Sequence, residues 1–168
     1  MASMIGSKVE RKEDKKFLTG KGRYTADINL HNQLHAVFIR SPHARAKIKA
    51  IDTSKAKKAA GVVDVLTGKD MQDDKIGGLI AGWKIVSKDG TDMKCPAHPP
   101  LATDSVNYVG DHIALVVAET LQEAKDAADL VKGDYKVLKA VASTAEAMNS
   151  DVIHEGIEKN LCFDWELG

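Results

Sequence analysis

The chain has 168 residues, of which 43% are hydrophobic and 29% are charged, and its formal net charge is zero. This length allows one domain with a real hydrophobic core, and the composition is typical of a globular protein. Without a basic excess, a broad nucleic-acid-binding surface is not expected, because such surfaces neutralise phosphates with lysine and arginine.

The sequence gives no sign of targeting to a membrane or an oxidising compartment. Residues 1–16 lack the apolar core of a signal peptide. The longest apolar run, residues 113–118, is far too short to span a bilayer. Cys95 and Cys162 are distant in sequence, so two reduced thiols are the simplest expectation. We therefore expect a soluble, cytoplasmic protein.

The first third of the chain contains a glycine-rich segment ahead of its first predicted strand. Residues 1–16 are polar and charged and are predicted to form an irregular arm. Gly20-Lys21-Gly22 has the composition of a phosphate-binding loop, but no serine or threonine follows the lysine and no helix pattern begins there. The segment instead predicts a turn anchored by Phe17 and Tyr24.

Residues 34–52 are predicted to be the centre of the fold. The nearly continuous apolar run at 34–39 indicates a strand buried on both faces. Proline in Ser41-Pro42-His43-Ala44 breaks this strand, since it has no N–H to donate to a ladder. Residues 45–50 then alternate polar with small or apolar side chains, which predicts a second, half-exposed strand paired with the first.

Hydrophobic periodicity and capping residues predict the remaining elements. Thr120 and Glu123 form a capping box, which marks a helix start. Gly133 is predicted to end that helix, after Lys132 at its carboxyl end. The predicted elements are a helix at 55–60, strands at 62–66, 106–109, 113–118 and 134–138, and helices at 121–132 and 144–148.

Residues 72–105 form a long segment with little regular pattern. It contains several glycines and three of the four prolines, and only residues 80–86, around Trp83, suggest a short strand. Long loops in compact domains are usually functional or bound to a partner. A binding or interaction module that uses this loop is therefore one hypothesis for the function.

No local motif in the sequence predicts catalysis or metal binding. Cys95 and His98 have the spacing of metal ligands, but a structural zinc site needs four ligands and no second pair lies nearby. The other histidines are scattered and carry no catalytic signature. Composition and spacing alone thus indicate an α/β or α+β domain of undetermined function.

A set of short phrases, in order along the chain, resembles one known family. The set includes Arg40-Ser41-Pro42-His43-Ala44 and Tyr108-Val109-Gly110. It resembles the N-terminal α/β-hammerhead domain of the molybdenum hydroxylases, which include xanthine dehydrogenase, aldehyde oxidase and the aerobic carbon monoxide dehydrogenase large chain. The other matching phrases are residues 13–14, 17–24, 61–63, 66–68, 100–102, 116–119, 126–128 and 134–135.

Within that family, three phrases look most like the carbon monoxide dehydrogenase-type large chains. They are Lys88-Asp89-Gly90, His98-Pro99-Pro100 and the last nine residues, 160–168. Three positions depart from the family pattern. Arg45 stands where a second histidine is frequent, and His112 and Lys139 each replace a frequent proline.

The resemblance implies a fold, a domain arrangement and cofactors. The fold is α+β, an α/β-hammerhead with a mixed sheet, two main helices and a long irregular loop. Residues 1–16 would be an arm, 17–148 the hammerhead and 149–168 a tail leading towards an absent molybdopterin-binding domain. The complete enzyme would contain molybdopterin in the same large chain, with iron–sulfur clusters and FAD on partner subunits or domains.

The resemblance assigns no catalytic, cofactor-binding or metal-binding residue to this chain. In the family, the molybdopterin contacts and the catalytic glutamate lie beyond the matched part. The implied role is structural: a domain that supports the cofactor domain and subunit contacts without catalysing a reaction itself. The substrate is undetermined, and a truncated protein, a split gene product and a stand-alone protein remain alternatives.

Interface residues are predicted from apolar side chains in the long loop and the tail. Trp83, Leu101, Phe163 and Trp165 are the main candidates, with Ile153 and Leu161 beside them. We expect residues 149–168 to be poorly ordered or held by another copy of the chain. The alternative is that Phe163 and Trp165 fold back onto their own domain.

Overall fold

A computed structural model of the protein describes residues 5, 6 and 8–168. The chain forms two compact units, Met1–Gln33 and Leu34–Gly168. Within the first unit, helix α1 spans Asp14–Leu18 and a 3-10 turn spans Thr25–Asp27. Helix α1 begins at Asp14, near the end of the segment that was predicted to be an arm or an irregular lead-in.

The glycine-rich segment of the first unit is a turn, as predicted. The rings of Phe17 and Tyr24 stack with their centroids 5.5 Å apart and their planes 9° from parallel. The Phe17 ring lies against Gly22 so closely that a Cβ there would collide with it. The glycine at this position therefore allows the ring stack, and no phosphate-binding helix follows it.

The second unit contains the strands and most of the helices. The long segment at residues 74–104 has one isolated bridge, Val86 to Asp92, where a strand at 80–86 was expected. The elements are β1 (His35–Arg40), β2 (Ala46–Asp52), β3 (Val62–Thr67), α2 (Gly68–Asp73), β4 (Ser105–Val106), β5 (His112–Ala118), α3 (Leu121–Ala128), β6 (Lys132–Val137) and α4 (Thr144–Ala147).

The strands of the described residues form two three-stranded sheets, in the orders β1-β5-β3 and β4-β2-β6. Every pairing between these strands is antiparallel. The α+β hammerhead class is confirmed. Two antiparallel sheets form where a mixed sheet was expected. The predicted pairing of the first two strands is wrong, because the corner after Arg40 carries the chain from one sheet into the other.

The first sheet packs one face against α3. Val65, Val116 and Ala118 are fully buried against Ala124 and Ala127 of that helix. The small alanines let the helix approach the sheet closely. Strand β1 contributes its alternate residues to this core, whereas the outward-facing Phe38 is 45% exposed. Burial of β1 on both faces was expected and is wrong, because a helix covers only one side.

A second small core lies between the two sheets, because it includes Ile113 of β5 together with residues of β2 and β4. Ala46, Val106 and Ile113 are buried there, and Tyr135 packs against them from β6. The Tyr135 ring lies over Gly133 of the same strand, where a Cβ would collide with the ring. Gly133 is therefore required by this packing and does not end a helix as predicted.

The capping signal at the start of α3 is confirmed. Glu123 N–H donates to Thr120 Oγ1 (3.2 Å), and Thr120 N–H donates to the Glu123 carboxylate (3.0 Å). The helix ends four residues earlier than predicted, at Ala128, because Lys132 already begins β6. The helix predicted at 55–60 is only a 3-10 turn, Ala56–Lys58.

Two connections between the sheets run side by side and hold each other. Ser41 N–H donates to the Asp111 carbonyl oxygen (2.7 Å), and Gly110 N–H donates to the Ser41 carbonyl oxygen (2.9 Å). The Arg40 guanidinium also donates to the Gly110 carbonyl oxygen (3.1 Å). Ser41 is 2% exposed, so its two backbone hydrogen bonds are shielded from water, whereas the Arg40 hydrogen bond is exposed. We call this set of contacts, at residues 40–43 and 110–111, the corner clamp.

Gly110 takes a φ of +93° in the corner clamp, a conformation that L side chains rarely adopt, although no atom would meet a Cβ there. Replacing Gly110 with Ala is therefore expected to lower the free energy of unfolding by about 1–2 kcal/mol, through backbone strain alone. Urea denaturation of the purified protein measures this change.

Gly77→Ala is the matched control. Gly77 also has open space around its Cβ position, but no positive φ. It should leave stability unchanged or raise it slightly. Equal stability of the two variants would contradict the role given to the Gly110 backbone.

Candidate functional site: the loop–tail face

The long loop and the carboxyl-terminal tail lie against each other in the second unit. Lys88 N–H donates to the Asp164 carbonyl oxygen (2.8 Å), and Lys94 N–H donates to the Cys162 carbonyl oxygen (2.9 Å). We call the surface formed by residues 74–104 and 149–168 the loop–tail face. The tail was expected to be loose or bound to another copy, whereas here it is held by its own chain.

A small hairpin in the loop provides the edge that receives the tail. Met93 N–H donates to the Ile85 carbonyl oxygen, and Ser87 N–H donates to that of Thr91, both at 2.8 Å. At the turn, the Asp89 carboxylate accepts hydrogen bonds from the Thr91 hydroxyl (2.7 Å) and N–H (2.9 Å). These bonds, the hydroxyl's above all, lower the pKa of Asp89. The Lys88-Asp89-Gly90 phrase thus builds the turn.

Asn160 is the main polar anchor within the tail. Its amide nitrogen donates to the carbonyl oxygens of Ala147 (2.9 Å) and Asp151 (3.0 Å). Its amide oxygen accepts a hydrogen bond from Ile153 N–H (2.9 Å). One side chain therefore satisfies three backbone groups and folds residues 147–160 into a compact turn.

Arg45 joins the tail to the second sheet. Its guanidinium donates to the carbonyl oxygens of Val152 (2.7 Å) and Lys139 (3.3 Å). Arg45 and Lys139 are two of the positions where the sequence departs from the family pattern, and here they contact each other. His112, the third, stacks on Phe38 with ring centroids 4.4 Å apart.

Ion pairs add little to this attachment. Lys88 Nζ lies 3.3 Å from the Asp164 carboxylate and 3.5 Å from that of Glu166. All three side chains are substantially exposed, so water screens their attraction. The hydrogen bonds between backbone groups, and those of Asn160 and Arg45, therefore hold the tail.

Two adjoining clefts open on the loop–tail face. One, of about 370 Å³, lies between α2, β2 and the tail, and the other, of about 380 Å³, reaches Tyr108 and Asp111. Burial, and then the nearby Asp111 carboxylate, raise the pKa of Tyr108. Both clefts share a wall made of Pro96, Ala97, Pro99, Ser105, Asn107, Ile153 and His154.

The clefts bring imidazoles near a carboxylate, but they do not make a metal site. His98, His154 and Asp111 line the second cleft. Among residues 5, 6 and 8–168, no group of three or more histidine, cysteine, aspartate or glutamate side chains is placed to hold a metal ion. The chemistry offered by the clefts is hydrogen bonding beside apolar proline and isoleucine surface.

The four interface candidates have different surroundings. Trp83 is 79% exposed and Trp165 is 50% exposed, while Phe163 is partly buried. Leu101 is only 2% exposed, so its expected exposure is wrong. Ala102 N–H donates to the His112 carbonyl oxygen (2.7 Å), which ties the end of the loop to β5 and buries Leu101 in its own domain.

The exposed apolar side chains of the loop–tail face extend beyond the two tryptophans. They also include Leu79, Ile80, Leu161 and Leu167.

Sequence reasoning missed the anchoring roles of Asn160 and Arg45. Their partners are backbone N–H and carbonyl groups, which no side-chain pattern in the sequence reveals.

Comparison with known proteins identifies the family. Residues 19–139 match the family described as aldehyde oxidase and xanthine dehydrogenase, a/b hammerhead domain. This covers most of the chain, and the protein therefore belongs to this family. The hammerhead resemblance found in the sequence is confirmed.

Two curated relatives illustrate the relationship. The nicotine 6-hydroxylase large subunit of Paenarthrobacter nicotinovorans is 39% identical over 154 residues, which are 92% of this chain and 18% of that protein. The carbon monoxide dehydrogenase large chain of Afipia carboxidovorans is 34% identical over 180 residues, covering 98% of this chain and 21% of the relative. The chain thus spans about a fifth of their length.

Solved structures agree with this assignment. Quinoline 2-oxidoreductase from Pseudomonas putida 86 matches with a TM-score of 0.78 and 33% identity, over 92% of this chain and 19% of its own. The Cu,Mo-CO dehydrogenase matches with a TM-score of 0.72 and 34% identity, over 94% and 19%. In the part of this chain that the structure describes, no helix is long and apolar enough to cross a membrane.

Replacing Asn160 with Ala should release the tail, because three backbone groups lose their partner. Each unpaired polar group costs about 1–3 kcal/mol where water does not replace the bond. We expect limited proteolysis between residues 150 and 165 to accelerate by about tenfold, through local opening alone.

Asn149→Ala is the control for this prediction, because the Asn149 side chain makes none of these three bonds. It should be cleaved like the unmodified protein. Unchanged cleavage of the Asn160 variant would show that other contacts hold the tail.

Proposed function

We propose that this protein is the structural and assembly domain of a molybdenum-dependent hydroxylase large subunit. Two findings support the assignment to the molybdenum hydroxylases. The chain belongs to the family, and it is similar to a nicotine 6-hydroxylase large subunit, a carbon monoxide dehydrogenase large chain and xanthine dehydrogenases. The observation that carries the structural role is the loop–tail face, where Trp83 and Trp165 are exposed on a surface held by backbone hydrogen bonds. Exposed aromatic residues of this kind are typical anchors of protein interfaces.

In this proposal, residues 1–16 are an arm, 17–148 the hammerhead and 149–168 a tail that leads towards a molybdopterin-binding domain. Trp83, Phe163 and Trp165 contact that domain or the iron–sulfur and flavin subunits. Leu101 supports the loop from inside. The same surface could instead join two copies of the chain through the tail. The proposed location of the protein is the cytoplasm.

The residues of this chain do not fit the iron–sulfur clusters of the complete enzyme. An iron–sulfur cluster is held by a set of cysteine thiolates, typically four, and the sequence has only Cys95 and Cys162. The donor side chains of the described residues form no group that suits a metal ion. In this proposal the clusters therefore lie on partner subunits or domains. The family resemblance assigns molybdopterin to another domain of the large chain and FAD to a partner, and we assign no catalytic step to this chain.

A second candidate function is a stand-alone binding module that uses the loop at 72–105. The two adjoining clefts favour it, since each has the volume of a small-molecule site. In this alternative, Asn107 and His154 would provide polar contacts to a small ligand. The two candidate functions differ in whether the chain is associated with a molybdenum cofactor in the cell.

The test is to purify the protein under native conditions from its source cells through a tag at its chromosomal locus. Molybdenum and the fluorescent oxidation product of molybdopterin should copurify in a constant ratio to the chain. Replacing both Trp83 and Trp165 with Ser should reduce this ratio by at least about tenfold, as expected when two interface anchors are lost.

Leu130→Gln is the control, because Leu130 is exposed but lies after α3, outside the loop–tail face. It should retain the full molybdenum ratio. A native preparation without molybdenum would contradict the proposal. A ligand that raises the melting temperature of that same preparation, and fails to do so after Asn107→Leu, would then support the binding module.

A further inference from the structure

The attachment of the tail brings together the two cysteines of the sequence. Lys94 N–H donates to the Cys162 carbonyl oxygen (2.9 Å), and the Cys162 thiol lies 3.2 Å from the Lys94 carbonyl oxygen. Cys95 follows Lys94 directly in the chain. Both cysteines are free and exposed. Residues 67 positions apart in sequence are therefore neighbours on the loop–tail face.

The covalent geometry of the peptide unit sets how far apart the two residues lie. In a trans peptide, the carbonyl oxygen and the next Cα are about 3 Å apart. Cys162 Sγ is thus within about 6 Å of the Cys95 Cα atom. The Sγ and Cα atoms of one cysteine are about 3 Å apart, so the two Cα atoms lie within about 9 Å of each other. Disulfides join residues whose Cα atoms are about 4.4–6.8 Å apart, so side-chain rotation and a backbone movement of at most a few ångströms in the exposed loop and tail bring the sulfurs together.

We propose that Cys95 and Cys162 are a redox-active thiol pair, which a low-molecular-weight disulfide oxidises to a cross-link between the loop and the tail. This modification does not depend on the proposed assembly function. With oxidised glutathione, one cysteine thiolate attacks a glutathione sulfur, forming a mixed disulfide and releasing one reduced glutathione. The second thiolate attacks the protein sulfur of that mixed disulfide and releases the other glutathione.

The balance of this reaction is two protein thiols and one oxidised glutathione giving one protein disulfide and two reduced glutathiones. Exposure lets the oxidant reach both sulfurs, and proximity favours the second, intramolecular step over a second glutathionylation. Because exposed disulfides are the readily reduced ones, the cross-link is reversible.

The cross-link would fasten the tail where hydrogen bonds alone now hold it. Residue 162 lies three positions before Trp165, and residue 95 follows the hairpin that pairs with the tail. Oxidation would therefore restrict local opening of the loop–tail face while leaving both sheets unchanged. The effect is an oxidant-dependent covalent cross-link between the loop and the tail.

Incubation of the purified full chain with oxidised glutathione, followed by intact-mass and peptide mapping, tests the proposal. The expected product has lost two hydrogen atoms in mass, carries no glutathione, and yields a peptide joining Cys95 to Cys162. Proteolysis between residues 150 and 165 should slow by about tenfold in this product and recover on reduction.

Cys95→Ser and Cys162→Ser are the matched controls. Each should keep one glutathione as a stable mixed disulfide and show no protection of the tail. The proposal is overturned if the unmodified chain takes up two glutathiones, or if it crosslinks mainly between chains. It is equally overturned if the unmodified chain stays reduced while the single-cysteine variants are glutathionylated.

Discussion

The corner clamp is the contact on which the arrangement of the two sheets depends. The chain crosses between the sheets after β1 and again before β5, and the backbone groups of Ser41, Gly110 and Asp111 join these crossings. Each sheet has only three strands, and the second small core is shared between them, since Ile113 of β5 packs there with Ala46 of β2. Neither sheet alone buries much apolar surface, so the connection between them fixes how the two sheets and the loop–tail face are arranged. We call the two connected sheets the platform.

The loop–tail face extends from this platform through polar contacts. Asp111 joins the two parts, since its carbonyl oxygen accepts a hydrogen bond from Ser41 and its carboxylate from Asn107 N–H (3.2 Å), beside the second cleft. Arg45, just after the corner, reaches the tail. A surface held by hydrogen bonds to backbone groups keeps its shape while its apolar side chains remain outside. That combination suits a domain whose proposed role is to present a contact surface.

The sequence predicted the elements whose signals are local and missed the contacts that are not. The start of α3 at Thr120 and the turn at Phe17 and Tyr24 were predicted correctly from local signals. The ordered family phrases predicted the fold class correctly. Gly133 was misinterpreted as a helix end, because the need for glycine there comes from its packing against the Tyr135 ring, which the local sequence does not reveal. Pairing of β1 with β5 and burial of Leu101 depend on tertiary contacts, and Asn160 anchors backbone groups 7 to 13 positions away. Periodicity and spacing report none of these contacts.

Hydrogen–deuterium exchange on the isolated chain and on the native assembly tests the central claim most directly. If the loop–tail face is the contact surface, amides of residues 79–94 and 160–167 should exchange at least about tenfold more slowly in the assembly. Amides of β5, already in the middle of the first sheet, should change little. Unchanged exchange across the loop and tail, with new protection confined to other surfaces, would contradict the account.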